Sequence, residues 1–225
     1  DTPVLLRGFN LMFKLGSDYP FPIAQDRALK SLLPGANLAR LVMNHWHDTE
    51  SKDDCATDQP PHYITQQCLD QFDRTLAWST GELKAWSVIT ARSALAAGDG
   101  GPGKTIFTNT TLKSQWLAMW DTLARRYAST DNIAGYEVMS EPRTSVNASY
   151  VHRLQQQACS TIWAADPKAA CLIGPAKFYN RYNLRPEYLV SGGPAIYAAN
   201  FFEPKIWIGS NQSGSCRTGQ QCDVP

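Results

Sequence analysis

The sequence predicts an α/β fold built around a parallel β-sheet. Short apolar runs, each typical of a buried strand, alternate with longer segments whose apolar residues recur at helical spacing. Strand–helix units repeated in this way place successive strands parallel, because each helix returns the chain to the same end of the sheet. We count about six strands, and a chain of 225 residues is long enough for one domain with a sizeable core.

The elements follow from local patterns along the chain. The apolar runs predict strands at Val4–Asn10, Asn37–Met43, Leu83–Thr90, Gly135–Met139, Ala170–Gly174 and Ala195–Phe202. Apolar residues spaced three and four apart predict helices at Gln25–Leu33, Ile64–Ser79, Thr111–Tyr127 and Ser149–Ala164. A Gly-rich loop precedes the third of these helices, but no Lys-Ser/Thr pair follows it, so it does not predict a phosphate site.

Two architectures fit this pattern, a doubly wound sheet and a closed (β/α)8 barrel. A barrel has eight strand–helix units and typically about 250 residues, which is two units more than the pattern provides. As a barrel, residues 1–225 would form a single domain whose C-terminal part is missing. A remaining C-terminal segment or a partner chain would then complete it.

Composition and charge exclude several classes of function. Hydrophobic residues make up 43% of the chain and charged residues 18%, an ordinary composition for a soluble protein. The formal net charge is +1 and the basic residues are scattered, which predicts neither a nucleic-acid interface nor a membrane-binding face. No apolar run approaches the roughly 18 residues needed to span a bilayer. No cofactor is expected.

The cysteines and sequons predict a secreted or extracellular glycoprotein. The six cysteines are even in number and form no C-x-x-C pair, which favours disulfides over a metal site. Six cysteines allow 15 pairings, of which we favour Cys55–Cys68, Cys159–Cys171 and Cys216–Cys222. Sequons for N-glycosylation begin at Asn109, Asn147 and Asn211.

One carboxylate lies where a barrel keeps its functional groups. The run Ile133-Ala-Gly-Tyr-Glu-Val-Met-Ser-Glu141-Pro142 reads as a buried strand that the proline ends. A carboxylate at such an edge is costly unless it is solvated or paired, so we expect Glu141 to face a polar cleft. The spacing alone fits a structural role as well as a catalytic one.

Several segments in order resemble glycoside hydrolase family 5, the cellulase-like (β/α)8 enzymes. The segment from Gly135 to Pro142 resembles the family's strand-four Asn-Glu-Pro motif, whose glutamate is the acid/base. Weaker resemblances lie at Arg7-Gly8-Phe9-Asn10, Asn37-Leu-Ala-Arg40-Leu41 and the strand-six segment Tyr197–Pro204. The resemblance covers most of the chain and implies a TIM barrel, of which about the first six βα units are present.

The resemblance implies a retaining glycosidase that acts on a β-linked glucan or mannan, with Glu141 as acid/base. Such enzymes use two carboxyls about 5–5.5 Å apart, and in this family the nucleophile comes from strand seven, beyond Pro225. The segment alone is therefore expected to be inactive. Arg40, Ser140 and Asn200 are implied to shape the pocket.

Departures from the family pattern keep a second interpretation open. Ser140 stands where the family has asparagine, and Asn200 and Phe202 stand where it has histidine and tyrosine. The alternative is a degenerate glycosidase fold with an extracellular glycan-binding or structural role.

Four further residues are predicted to bind substrate. Trp46 is suited to stack on a sugar ring, because pyranoses present apolar C–H faces, although it could also pack within its loop. His45 lies beside it, and the run His45-Trp46-His47-Asp48 lacks the spacing of a metal site, so no metal is expected. Trp207 and Tyr179 follow strands six and five, on the face where a barrel keeps its site, and line the cleft or cover the core.

Overall fold

The computed structural model describes residues 5–13, 31, 34–44, 55–92, 106–142 and 147–199. The strands in these ranges are β1 (Gly8–Phe13), β2 (Leu38–Asn44), β3 (Trp86–Arg92), β4 (Ile133–Glu137), β5 (Cys171–Ile173) and β6 (Ala195–Tyr197). The helices are α1 (Gln66–Gly81), α2 (Thr110–Tyr127), α3 (Ala148–Ala165) and the short α4 (Ala176–Tyr179). Two 3₁₀ turns, Arg181–Asn183 and Pro186–Tyr188, lie between α4 and β6.

The strand order decides between the two predicted architectures. All six strands are parallel and lie in the order β1-β2-β3-β4-β5-β6, so each pairs with the next strand along the chain. A doubly wound sheet reverses its strand order at a switch point, whereas a barrel adds its strands in sequence. The order is that of a (β/α)8 barrel, and the described residues provide six of its strands.

The long helices begin at side chains that cap them. The Thr65 hydroxyl accepts a hydrogen bond from the backbone N–H of Cys68 at the start of α1. The Asn109 side chain accepts from the N–H groups of Thr111 and Leu112, and Asn147 caps α3 in the same way. These caps satisfy N–H groups that have no partner within the helix. The first two predicted sequons therefore lie at helix N-termini.

The core lies between the outer face of the sheet and the helices. Leu41, Ile89 and Tyr136 contribute to it from the strands and are fully buried. From α2, Trp120 meets the Tyr136 ring edge-on, with ring centroids 6.2 Å apart. Because side chains alternate along a strand, the neighbouring residues Arg40 and Glu137 face the opposite side, the interior of the barrel.

Strand boundaries differ from the prediction where neighbouring strands set the register. β1 begins at Gly8 rather than Val4, because Gly8 pairs with Leu38 and residues 5–7 are irregular. β3 begins at Trp86 rather than Leu83, since the Trp86 N–H bonds to the carbonyl before β2. The predicted helix Gln25–Leu33 lies outside the described residues except for residue 31.

The cysteine pairing is confirmed in part and corrected in part. Cys55 and Cys68 form a disulfide, as predicted. Cys159 and Cys171 are free thiols and not the predicted disulfide. They lie next to each other, fully buried between α3 and β5, and burial, followed by the hydrogen bond to Cys171, raises the pKa of Cys159. Such a thiol is a packing group of low reactivity. Cys216 and Cys222 lie outside the described residues.

Candidate active site

The site forms at the carboxyl end of β4. This strand ends at Glu137, earlier than the predicted Met139, and Glu141 lies in the turn that follows. Glu141 has a backbone φ of 47°, in the left-handed region that non-glycine residues seldom adopt. Backbone of this kind costs about 1–3 kcal/mol and is found at sites where the surrounding structure holds it in place. The turn therefore fixes the backbone from which this carboxylate projects.

Arg40, on β2, donates hydrogen bonds to three parts of the site. Its Nε donates to Oε2 of Glu137, its Nη1 to Oδ1 of Asn10 at 3.1 Å, and its Nη2 to Oγ of Ser140 at 2.9 Å. A guanidinium group is planar, so three such bonds fix its orientation. The structure thus brings the predicted Arg40 and Ser140 into contact, beside Glu141.

The guanidinium of Arg40 keeps its positive charge at this position. Burial favours the neutral form, but the hydrogen bond to Glu137 and the negative charges of Glu137 and Glu141 outweigh it and raise the pKa of Arg40. The side chain is 28% exposed, so part of it remains accessible to solvent. A fixed cation at this place can stabilise negative charge that develops on a bound substrate or a neighbouring carboxylate.

The sequence analysis missed Glu137 as a member of the site. It is 3% exposed, and its Oε2 also accepts from the Thr90 hydroxyl on β3 at 2.9 Å. The sequence did contain a signal for Glu137, because a charged residue inside an apolar strand must be paired if it is buried. The carboxylate of Glu141 at the strand end was recognised in the sequence, and that of Glu137, four residues earlier, was not.

Tyr179 lies beneath the site and does not line it. The residue is 3% exposed, its ring packs against Gly174, and its hydroxyl donates to the Met139 carbonyl at 2.6 Å. Burial, followed by the negative charge of Glu137, raises the pKa of Tyr179 well above its usual value. The predicted sugar contact is therefore corrected, because a ring buried in this way cannot stack on a pyranose.

The other predicted site residues lie outside the described part of the chain. They are His45, Trp46, Asn200, Trp207 and the sequon residue Asn211. Among the residues that the structure describes, no group of three or more His, Cys, Asp or Glu side chains is arranged to hold a metal ion. The helices described there are also too short or too polar to cross a membrane.

The family of the chain follows from a match to a family model. Residues 2–195 match the cellulase model, glycosyl hydrolase family 5. The chain belongs to glycosyl hydrolase family 5. This confirms the resemblance drawn from the strand-four motif. No curated protein matches the sequence at a significant level.

Several solved structures share the fold. A glycoside hydrolase 5 lichenase from a Caldicellulosiruptor species, a mutant form with cellotetraose, superposes with a TM-score of 0.71 at 14% identity, over 93% of this chain and 64% of that one. Thermotoga maritima Cel5A with mannotriose gives 0.70 at 18% identity, over 93% and 65%. Clostridioides difficile cellulose synthase subunit Z gives 0.65 at 16% identity, over 89% and 63%. The chain thus spans less than two-thirds of these structures, and the likeness establishes the barrel fold.

Proposed function

We propose that the full-length protein is a secreted glycoside hydrolase that cleaves a β-linked glucan or mannan with retention of configuration, using Glu141 as acid/base. The observation that carries this proposal is the placement of Glu141 at the carboxyl end of β4, beside the Arg40–Ser140 hydrogen bond. Related proteins have been solved in complex with cellobiose, mannotriose and cellotetraose, which supports a carbohydrate substrate.

In the proposed reaction the Glu141 carboxyl protonates the leaving glycosidic oxygen, while a second carboxylate attacks the anomeric carbon. Water then displaces the enzyme from the sugar, and Glu141 takes a proton from that water. Glu137 is a poor candidate for the nucleophile, because it is buried and its charge is already paired with Arg40. The nucleophile therefore belongs to a part of the full-length protein outside the described residues.

The test compares the full-length protein with its Glu141→Gln variant on soluble β-glucans and β-mannans. General acid/base catalysis contributes about 10²- to 10⁴-fold, so the variant should lose that much of kcat on natural substrates. The matched control is Glu187→Gln, which removes an exposed carboxylate and should keep the wild-type rate. A wild-type rate for Glu141→Gln on every substrate cleaved would overturn the assignment.

A glycan-binding protein without catalysis is the second candidate. It is favoured by Ser140, which stands where the family has an asparagine and offers no amide to a sugar; its hydroxyl oxygen accepts a hydrogen bond from Arg40. Titration of the full-length protein with cello- and manno-oligosaccharides, followed by analysis of the mixture for new reducing ends, separates the two candidates. Binding with no new reducing ends supports this second candidate, and turnover excludes it.

Secretion is supported by the Cys55–Cys68 disulfide, because disulfides persist in oxidising compartments. Asn147, at the start of α3, is exposed and so accessible to glycosylation. Peptide mass mapping of the protein from its native source, before and after glycan removal, should find carbohydrate on this asparagine. An unmodified peptide together with reduced Cys55 and Cys68 would count against secretion.

A further inference from the structure

A buried carboxylate in the site has no role in the reaction proposed above. Glu137 points into the barrel from β4, and its side chain is 4% exposed. Placing a carboxylate there is costly unless a cation and hydrogen-bond donors compensate it, since water cannot reach it. The compensation comes from Arg40 on β2 and Thr90 on β3. Two hydrogen bonds to one oxygen of this side chain thus link β2 and β3 to β4.

The contact to Glu137 determines where the rest of Arg40 lies. With Nε held by Glu137, the two terminal nitrogens point to Asn10 on β1 and to Ser140 in the turn. Ser140 directly precedes Glu141, so the guanidinium supports the turn that carries the acid. Loss of the Glu137 contact would leave this long side chain without the anchor at its inner end.

We propose that Glu137 is a positioning residue for the reaction, which holds Arg40 against Ser140 and so keeps the turn that carries Glu141 in place. This inference rests on the function proposed above. It predicts that variants of Glu137 lower kcat without weakening substrate binding, and that the loss depends on the presence of Arg40.

The test measures kcat, KM and the folded fraction of the full-length protein. In Glu137→Asp the charge remains but the carboxylate is withdrawn from Arg40. That variant should lose about tenfold to a hundredfold in kcat, as expected for a small misplacement, and keep the wild-type KM. Glu137→Gln keeps the length of the side chain, so its loss of kcat should be smaller.

A double variant tests whether Glu137 acts through Arg40. In an Arg40→Gln background, Glu137→Asp should cause little further loss of kcat, because the guanidinium that Glu137 holds is absent. The matched control is Asp73→Asn on the outer face, which removes a carboxylate from another arginine pair and should leave kcat unchanged. A purely structural role would lower the amount of folded protein without changing kcat per folded molecule.

The outcomes separate this inference from the function on which it rests. If Glu141→Gln loses its activity but Glu137→Asp keeps the wild-type kcat, the positioning role is wrong and the proposed function stands. Should Glu137→Asp fail to fold, Arg40→Gln decides, because wild-type kcat in that variant would overturn the positioning role. A full-length protein without hydrolase activity overturns both.

Discussion

Two ion pairs of this protein join an arginine to a carboxylate in opposite surroundings. Arg40 and Glu137 meet inside the barrel, where their side chains are 28% and 4% exposed. Arg126 and Asp73 meet on the outer surface between α2 and α1, where the exposed fractions are 36% and 41%. Both pairs use more than one hydrogen bond, since Tyr127 also donates to Asp73 as Thr90 does to Glu137. The two pairs are formed by the same charged groups, and they differ in how far water can reach them.

The difference in access decides what each pair can do. On the surface, water solvates either partner when the pair opens, so the pair adds about 1 kcal/mol or less to stability. Inside the barrel neither partner can be separated without leaving a buried charge. The inner pair therefore determines the geometry of the site, whereas the outer pair joins two helices that packing already holds together.

The largest expected effect comes from breaking the inner pair. Arg40→Met keeps much of the length of the side chain and leaves Glu137 buried without its cation, which typically costs about 3–5 kcal/mol. Denaturation of the full-length protein in urea, at neutral pH, measures this free energy of unfolding. The matched variant Arg126→Met on the outer surface should cost about 1 kcal/mol or less. Equal losses from the two variants would show that burial does not distinguish the pairs.

A titratable group whose pKa is shifted by burial extends the comparison. His152 on α3 is 7% exposed and stacks on the Tyr188 ring, with centroids 4.1 Å apart, and burial lowers its pKa to about 4. The unfolded chain binds this proton near pH 6.5, so between pH 6.5 and 4 the unfolded state holds more protons and stability falls as pH falls. The full loss is about 3 kcal/mol, from about 1.4 kcal/mol per pH unit.

His152→Phe separates this contribution from the rest of the acid-side loss. The substitution keeps an aromatic ring against Tyr188 and removes the titrating group, so the decline in unfolding free energy over this pH range should flatten. If His152→Phe and the wild type show the same pH dependence, His152 is not the group that titrates.

The sequence predicted the fold because the fold depends on patterns that repeat along the chain. Alternation of strands and helices indicated the parallel sheet, and the apolar spacing that predicted α2 corresponds to a face buried at Trp116, Met119 and Leu123. Boundaries were less predictable, since the start of β3 is set by pairing with β2 and not by the apolar run that begins at Leu83. The strand-four motif identified the family before any contact was known.

The site was predictable only where one segment carries the signal. Arg40, Ser140 and Glu141 belong to motifs that can be recognised in sequence, and the structure brings them together. Glu137 and Thr90 are recognised through contacts between strands that are 47 residues apart in the chain. Tyr179 was predicted to bind substrate because it follows a strand. That position predicts the end of the barrel at which the residue lies, but it does not predict whether the ring is exposed in the cleft or buried.

The smallest expected effect comes from the outer pair. The hydrogen bond from Arg126, opposed by burial and aided by Tyr127, lowers the pKa of Asp73 below its usual 3.8. Its contribution is therefore present above that pH and is lost as pH falls through the lower, folded-state value. Asp73→Asn should reduce the unfolding free energy by about 1 kcal/mol or less at neutral pH, because solvent screens a pair exposed to this degree.

Salt and pH distinguish this small effect from a change in helix packing. Because ions screen exposed charges, the loss caused by Asp73→Asn should shrink at high salt and vanish at a pH low enough to protonate the wild-type carboxylate. Arg40→Met should keep most of its cost in the same high-salt buffer, since salt screens buried charges much less. A loss from Asp73→Asn that is large and insensitive to salt would mean that the outer pair behaves as a buried one, and the contrast between the two pairs would fail.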